Sequence, residues 1–277
     1  LTMEDKPVDA LRKKKDCSIA RAVEAVKEGS ADAIISPGNT GGILSAGTIR
    51  LRTLPGITRG AIATVMPEPE NEFVLLDAGA NTECKPFHLA EFAVMGSIYS
   101  REILGKPQPR VGILANGTEE NKGNELTLEA NRILKGLNLN FIGNVEGHDL
   151  FHNKVDVVVC DGFVGNIVLK TCESMARGMM GWLKAELTSN PVRTAGAFIA
   201  QGAFKTLKHR LNSDSYGGAP LLGLNGVVMK AHASASEVAI MNAVRCATEA
   251  IQHNVNQAII HDMEEAADYL EQFRAAA

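Results

Sequence analysis

The sequence predicts an α/β fold: a doubly wound, mainly parallel sheet in three α/β/α layers, with a long helix pair protruding from it. Three observations carry this expectation. Short β-branched runs alternate with longer stretches of helical periodicity up to about residue 160, the rhythm of βαβ units. The runs are apolar throughout rather than alternating, as strands covered on both faces must be. Beyond Gly162 the pattern changes to long helical stretches with little strand signal.

In chain order the spacing predicts a helix over 18–27, a strand over 31–36 and a helix over 41–51. Strands follow at 61–66 and 73–77, then a helix over 88–104, a strand over 110–115 and a helix over 125–137. Strands at 140–145 and 155–161 complete a set of six, all expected to be buried and parallel. Residues 162–187 read as one helix carrying Met175, Met179, Met180 and Trp182. Asn190 and Pro191 break it, and helical periodicity resumes over 192–211 with Arg193, Phe198, Ile199, Phe204, Lys205, Leu207, Lys208, His209 and Arg210. A Gly-rich turn over 216–220 leads to a last strand at 226–230 and two closing helices. Neither a repeat nor a low-complexity linker interrupts the chain, so residues 1–277 are expected to form one domain with a helical arm over 166–212. The arm is expected to pack on its own domain or on a dimer mate. Its tip, residues 188–204, sets apolar residues among cations in the manner of an interfacial amphipathic segment.

Composition narrows the partners. A net charge of −4 and 5% aromatic residues argue against nucleic acid, which demands a basic footprint and stacking faces. The basic run 12–15 reads as a solvated helix face. Five scattered cysteines without a CxxC pair suit reduced thiols in a cytosolic protein. The chain begins at Leu1 inside a charged segment and is expected to lack its natural N-terminus.

The predicted strand ends concentrate polar and small residues. After the first strand comes Ser36-Pro37-Gly38-Asn39-Thr40-Gly41-Gly42, in which Asn39 or Thr40 can cap the next helix and leave N–H groups for an anion. The third strand runs into Asp77-Ala78-Gly79-Ala80-Asn81, and the fourth into a loop where Lys122 beside Gly123 offers a point charge for phosphate. The sixth ends in Asp161-Gly162-Phe163-Val164-Gly165-Asn166, and the last in Lys230-Ala231-His232. Dinucleotide and Walker A fingerprints are absent, as are HExxH and GxSxG, so neither a cofactor nor a metal is expected.

Taken in order, the stretches 36–42, 76–81, 110–124, 140–149, 156–170 and 216–232 resemble the bacterial phosphate acyltransferases of the PlsX family. The runs Phe141-Ile142-Gly143-Asn144-Val145-Glu146-Gly147 and 161–166 are the most specific. The resemblance implies an isocitrate dehydrogenase-like fold, a homodimer, a cytoplasmic protein peripherally associated with the inner face of the membrane, and no cofactor. It also implies the reaction of an acyl-[acyl carrier protein] with inorganic phosphate to give acyl phosphate, which a glycerol-3-phosphate acyltransferase then uses in phospholipid synthesis. The family's first strand and its Asp-Ala-Met-Gly-Gly-Asp loop have no counterpart. Pro37, Gly42 and Ala233 are small-for-small departures.

A thioester is already activated, so the site must align phosphate, offset its charge and stabilise an oxyanion. Lys122 and the N–H groups near Asn39, Thr40 and Gly41 are expected to hold phosphate. Asn166 and Asn81 are the expected carbonyl donors, and His232 is expected to protonate the leaving thiolate or only to bind. Asp77 and Asp161 are expected to orient donors, with Lys230 among the binding residues. Met175, Met179 and Phe198 are candidates for an acyl groove or for a dimer core. The acidic carrier protein, or anionic lipid, would meet Arg193, Lys205, Lys208 and Arg210. The rival readings are a phosphotransacylase using acyl-CoA, a decarboxylating dehydrogenase of related fold and a non-catalytic membrane scaffold.

Overall fold

The computed structural model describes residues 2, 5, 7–211 and 218–275. Among these residues eight strands form one mixed sheet: β1 (Ala33–Ser36), β2 (Ala61–Pro67), β3 (Glu72–Leu76), β4 (Val111–Leu114), β5 (Phe141–Val145), β6 (Val157–Val159), β7 (Ala219–Leu222) and β8 (Val227–Lys230). Their order across the sheet is β1-β8-β7-β2-β3-β6-β4-β5. The pairs β1–β8, β3–β6, β4–β6 and β4–β5 are parallel, and β2–β3, β2–β7 and β7–β8 antiparallel.

The sheet is mainly parallel, as expected, but β2 runs antiparallel to both its neighbours, which corrects the expectation that all of the first six strands are parallel. Only residues 68–71 join β2 to β3, and 223–226 join β7 to β8. A parallel connection needs a crossover of about a dozen residues, so both links must be hairpins. Glu68 N–H donating to Asn71 O at 2.8 Å closes the first. Strand β7 lies where the sequence suggested a turn, and Tyr216 and Gly217 of that turn fall outside the described residues. The hairpins also reverse direction across the sheet: β1 and β8 run opposite to β3, β6, β4 and β5. The loops that follow the strands therefore do not share one edge.

Helices cover both faces. On one side lie α1 (Pro7–Lys13), α2 (Ser18–Lys27) and α3 (Thr40–Arg50), whose Ile19, Val23 and Ile43 meet Phe73, Leu75 and Val158. On the other are α4 (Pro86–Glu102), α5 (Glu125–Lys135), α10 (Val255–Glu265) and α11 (Ala267–Ala275), where Phe92, Met95, Ile133 and Ile259 meet Val74, Leu76, Val157 and Val159. Alternate residues of β3 and β6 thus feed opposite cores, the period-2 consequence of burial on both faces. Helix α4 is buried continuously from Phe87 to Ser100, which explains its apolar character on every side. With α9 (Glu237–Gln252), three helices close the chain rather than two.

Helix α6 (Gly162–Leu187) matches its predicted bounds and buries only Gly162 and Gly165. At ~1.5 Å per residue it extends roughly 39 Å and projects from the sheet as an arm. The return stretch is two helices, α7 (Pro191–Ile199) and α8 (Gln201–Leu211), interrupted at Ala200. Pro191 at N1 and the Asn190 side chain, accepting from Arg193 N–H at 2.9 Å, start α7. Among the described residues no helix is long and apolar enough to cross a membrane.

Candidate active site

The loop after β3 is organised around Asp77, which is fully buried. Its Oδ1 accepts from the N–H groups of Ile62, Gly79 and Ala80 at 3.1, 3.0 and 2.9 Å. Its Oδ2 accepts from Asn81 N–H and Nδ2 at 2.7 and 2.9 Å. Burial pushes this carboxyl's pKa up, while five donors and no acceptor around it favour the ionised form. Asn81 spends its other side-chain amide hydrogen on Gly60 O at 2.9 Å, and its backbone carbonyl accepts from Gly162 N–H at 2.7 Å. Asp77 and Asn81 thus form a latch joining β2, β3 and the start of α6. Asn81 has no amide hydrogen left for a substrate, in contrast to the expectation that it serves as a carbonyl donor.

Helix α6 starts at this latch, and α3 starts in the loop after β1. Asp161 caps α6, accepting from Phe163 and Val164 N–H at 2.9 and 3.0 Å. Asn39 caps α3, accepting from Gly42 N–H at 2.8 Å. Both side chains are therefore engaged with backbone, and what they offer a ligand is the positive end of a helix dipole. Gly41 serves packing: a Cβ there would lie 2.7 Å from Pro7 Cγ, so α1 could not approach. Gly165 is needed for the same reason, since a Cβ would stand 1.9 Å from Asp77 O.

A cleft of about 1220 Å³ runs along β2 beneath α6. One part of it gathers Thr40, Gly79, Asn166, Lys170, Lys230 and His232. The other, between the β2–β3 hairpin tip and helices α6 and α8, is apolar, with Met66, Phe151, Met175, Met179, Leu183 and Leu211. The opposed strand directions create this arrangement, because the ends of β3 and β6 meet the ends of β1 and β8 only across the face of β2.

Within the polar part Lys230 is half-buried, and its Nζ donates to Ala231 O. Burial, then the neighbouring charge of Lys170, pushes its pKa down. Lys170 Nζ pairs with Glu173 at 3.0 Å. Two cations facing one cleft disfavour each other until an anion arrives. Asn166 is exposed and its side chain makes no hydrogen bond to the other described residues, which leaves its amide for a ligand. His232 Nδ1 lies 2.7 Å from Ser234 Oγ and accepts from Ser234 N–H at 3.2 Å. In the neutral ring that assignment puts the proton on Nε2, so the free edge of the imidazole is a donor.

Lys122 does not line this cleft. It is exposed in the loop after β4, three strands from β2, and its carbonyl accepts from Asn144 Nδ2 at 3.1 Å. Nor does Phe198, which sits at the arm tip with Ile199, 72% and 86% exposed. Lys170 was not singled out from the sequence, yet it lies one helical turn after Asn166, a spacing that puts both on one face of α6.

A three-layer fold with a cleft that joins an apolar trough to a cationic, donor-rich end suits an enzyme that handles an acyl group. Comparison with known proteins carries this to a family. The family model described as "Fatty acid synthesis protein" matches residues 1–258. Over 274 residues the chain is 46% identical to the phosphate acyltransferase of Geobacter sulfurreducens, spanning 99% of this chain and 79% of that one. It is likewise 46% identical over 258 residues to the phosphate acyltransferase of Syntrophotalea carbinolica, spanning 93% and 74%. The chain belongs to this family, the PlsX-type phosphate acyltransferases. A phosphotransacetylase from Streptococcus pyogenes shares the fold with a TM-score of 0.58 at 21% identity, covering 91% of this chain and 70% of that one.

Proposed function

We propose that the chain transfers an acyl group from an acyl-[acyl carrier protein] to inorganic phosphate, giving acyl phosphate and the free carrier protein. The observation that carries this reading is the continuity of an apolar trough with an end that holds Lys170 and Lys230. The trough suits a fatty acyl chain and the cationic end suits phosphate.

The phosphate oxygen attacks the thioester carbonyl carbon to give a tetrahedral oxyanion, and the C–S bond then breaks to release thiolate. Lys230 and Lys170, with the N-terminal ends of α3 and α6 beside Thr40 and Gly162, offset the phosphate charge. Asn166 Nδ2 and His232 Nε2–H supply donors to the oxyanion. His232 also lies where it can hand a proton to the departing sulfur, which needs little assistance. Lys122 keeps a role only outside the cleft.

The same reading makes the protein a cytoplasmic, peripheral membrane homodimer whose product feeds acylation of glycerol 3-phosphate in phospholipid synthesis. Support for dimerisation comes from the face of α6 turned away from the cleft, where Trp182 is 67% exposed. Support for membrane contact comes from Phe198 and Ile199 at the tip, with Arg193 nearby in α7. Lys205 and Lys208, exposed on α8 beside the trough, suit an acidic carrier protein.

Trapping acyl phosphate as a hydroxamate tests the reaction, with acyl-carrier protein and acyl-CoA compared as donors. Lys230→Ala removes a charge-assisted bond worth ~1.5–3 kcal/mol, so the KM for phosphate should rise roughly 10- to 100-fold. Lys122→Ala should change it less than about twofold. The opposite pattern would return the phosphate to the β4 loop, and faster turnover of acyl-CoA would make the enzyme a phosphotransacylase of the other carrier.

A further inference from the structure

We infer that Glu68 closes the acyl trough and sets the length of chain this enzyme accepts, an inference resting on the reading that the acyl chain lies along β2. Glu68 lines the cleft just past the end of β2, at the hairpin tip. It is 7% exposed, and neither carboxyl oxygen has a hydrogen-bond partner among the described residues. The backbone of Asn153 faces it without meeting hydrogen-bond geometry. The cations around it are committed elsewhere: Arg110 Nε pairs with Asp156 at 2.8 Å, and Lys106 Nζ donates to Asn71 at 2.6 Å. Burial pushes the Glu68 pKa up, as it must for a carboxyl against Met66 and two prolines.

A buried polar group with no partner costs stability, and a hydrophobic residue of the same size would avoid that cost. Its place in the cleft supplies a reason to keep it. Arg210 Nη1 donates to Pro69 O at 3.1 Å and holds α8 across the hairpin tip, so the trough ends there. A methyl terminus pressed against this carboxyl offers its oxygens no hydrogen bond and keeps them from gaining one. From Ile62, beside the Asp77 latch, to Glu68 is six residues of extended chain, ~20 Å. That is the reach of about 16 carbons at ~1.3 Å per extended C–C bond. Chains up to that length lie on apolar surface, and longer ones meet the carboxyl.

The test uses Glu68→Met and Glu68→Gln with a series of saturated acyl-carrier-protein substrates two carbons apart. Two further methylenes buried in an apolar end are worth roughly tenfold in kcat/KM. Glu68→Met should give that gain for chains just beyond the wild-type cut-off, while Glu68→Gln, still polar and of equal volume, keeps the cut-off. A folded Glu68→Met protein with the wild-type length profile overturns the inference, as does a change equal at every chain length. Calorimetric binding of free fatty acids of the same lengths gives a second reading that does not depend on turnover. Should the wild type form no acyl phosphate, the proposed reaction fails, and the fatty-acid series alone still decides whether Glu68 limits length.

Discussion

Replacing Asp77 by Asn separates a structural carboxylate from a catalytic one. In the folded chain Asp77 accepts three backbone N–H groups at Oδ1 and both Asn81 donors at Oδ2. The amide in Asp77→Asn retains one acceptor oxygen, and its NH2 group then faces donors. Two bonds are lost outright, and the remaining three change from charge-assisted to neutral. Each lost bond to a charged group is worth ~1.5–3 kcal/mol, so the variant should be less stable by about 3–6 kcal/mol. With a urea m value of about 3 kcal/mol/M, the unfolding midpoint should fall by roughly 1–2 M. Urea titration followed by far-UV circular dichroism measures this, with hydroxamate assays on the folded fraction alongside. An unchanged midpoint together with a kcat down by orders of magnitude would refute the argument, because it would make Asp77 a base rather than a latch.

Other consequences follow from the same geometry. Burial and Lys170 lower the Lys230 pKa, so its charge is lost at a lower pH than that of an exposed lysine. Phosphate affinity should therefore be complete below that lowered pKa and fall as pH rises through it, and Lys170→Met should move the falling limb of kcat/KM for phosphate to higher pH. A limb that stays in place would separate the two lysines. Arg274 Nε and Nη2 donate to fully buried Glu91 Oε1 at 3.2 and 2.9 Å and tie α11 to α4. Arg274→Ala leaves that buried carboxylate without its charge partner, held only by Thr58 N–H and hydroxyl, and should cost about 3 kcal/mol, lowering Tm by roughly 8 °C. A calorimetric scan showing a shift under 2 °C would mean that water replaces the guanidinium.

Much of this molecule was legible in one dimension. The apolar runs marked seven of the eight strands, and the bounds of α6 follow from periodicity and the Asp161 cap alone. The missed strand, β7, is four residues long and begins Ala219-Pro220, beside glycines that mimic a turn. Strand direction was within reach too, because the gaps at 68–71 and 223–226 are too short for a crossover.

Residue chemistry by itself did not tell the site's working groups from its supports. Asp77, Asn81, Asn39 and Asp161 have the composition of a ligand shell, yet in the fold they hold the backbone that frames one. Local sequence fixes which residue follows a strand, and hence its polar character and its capacity to cap a helix. Only tertiary structure decides where that strand end lies. Two antiparallel hairpins turn β1 and β8 against β3 and β6, and this brings Lys230, His232, Lys170 and Asn166 together across β2. Lys122 does not line the cleft although β4 runs parallel to β3 and β6, because β4 lies three strands from β2, and a strand's place in the sheet order is a property that no single segment encodes.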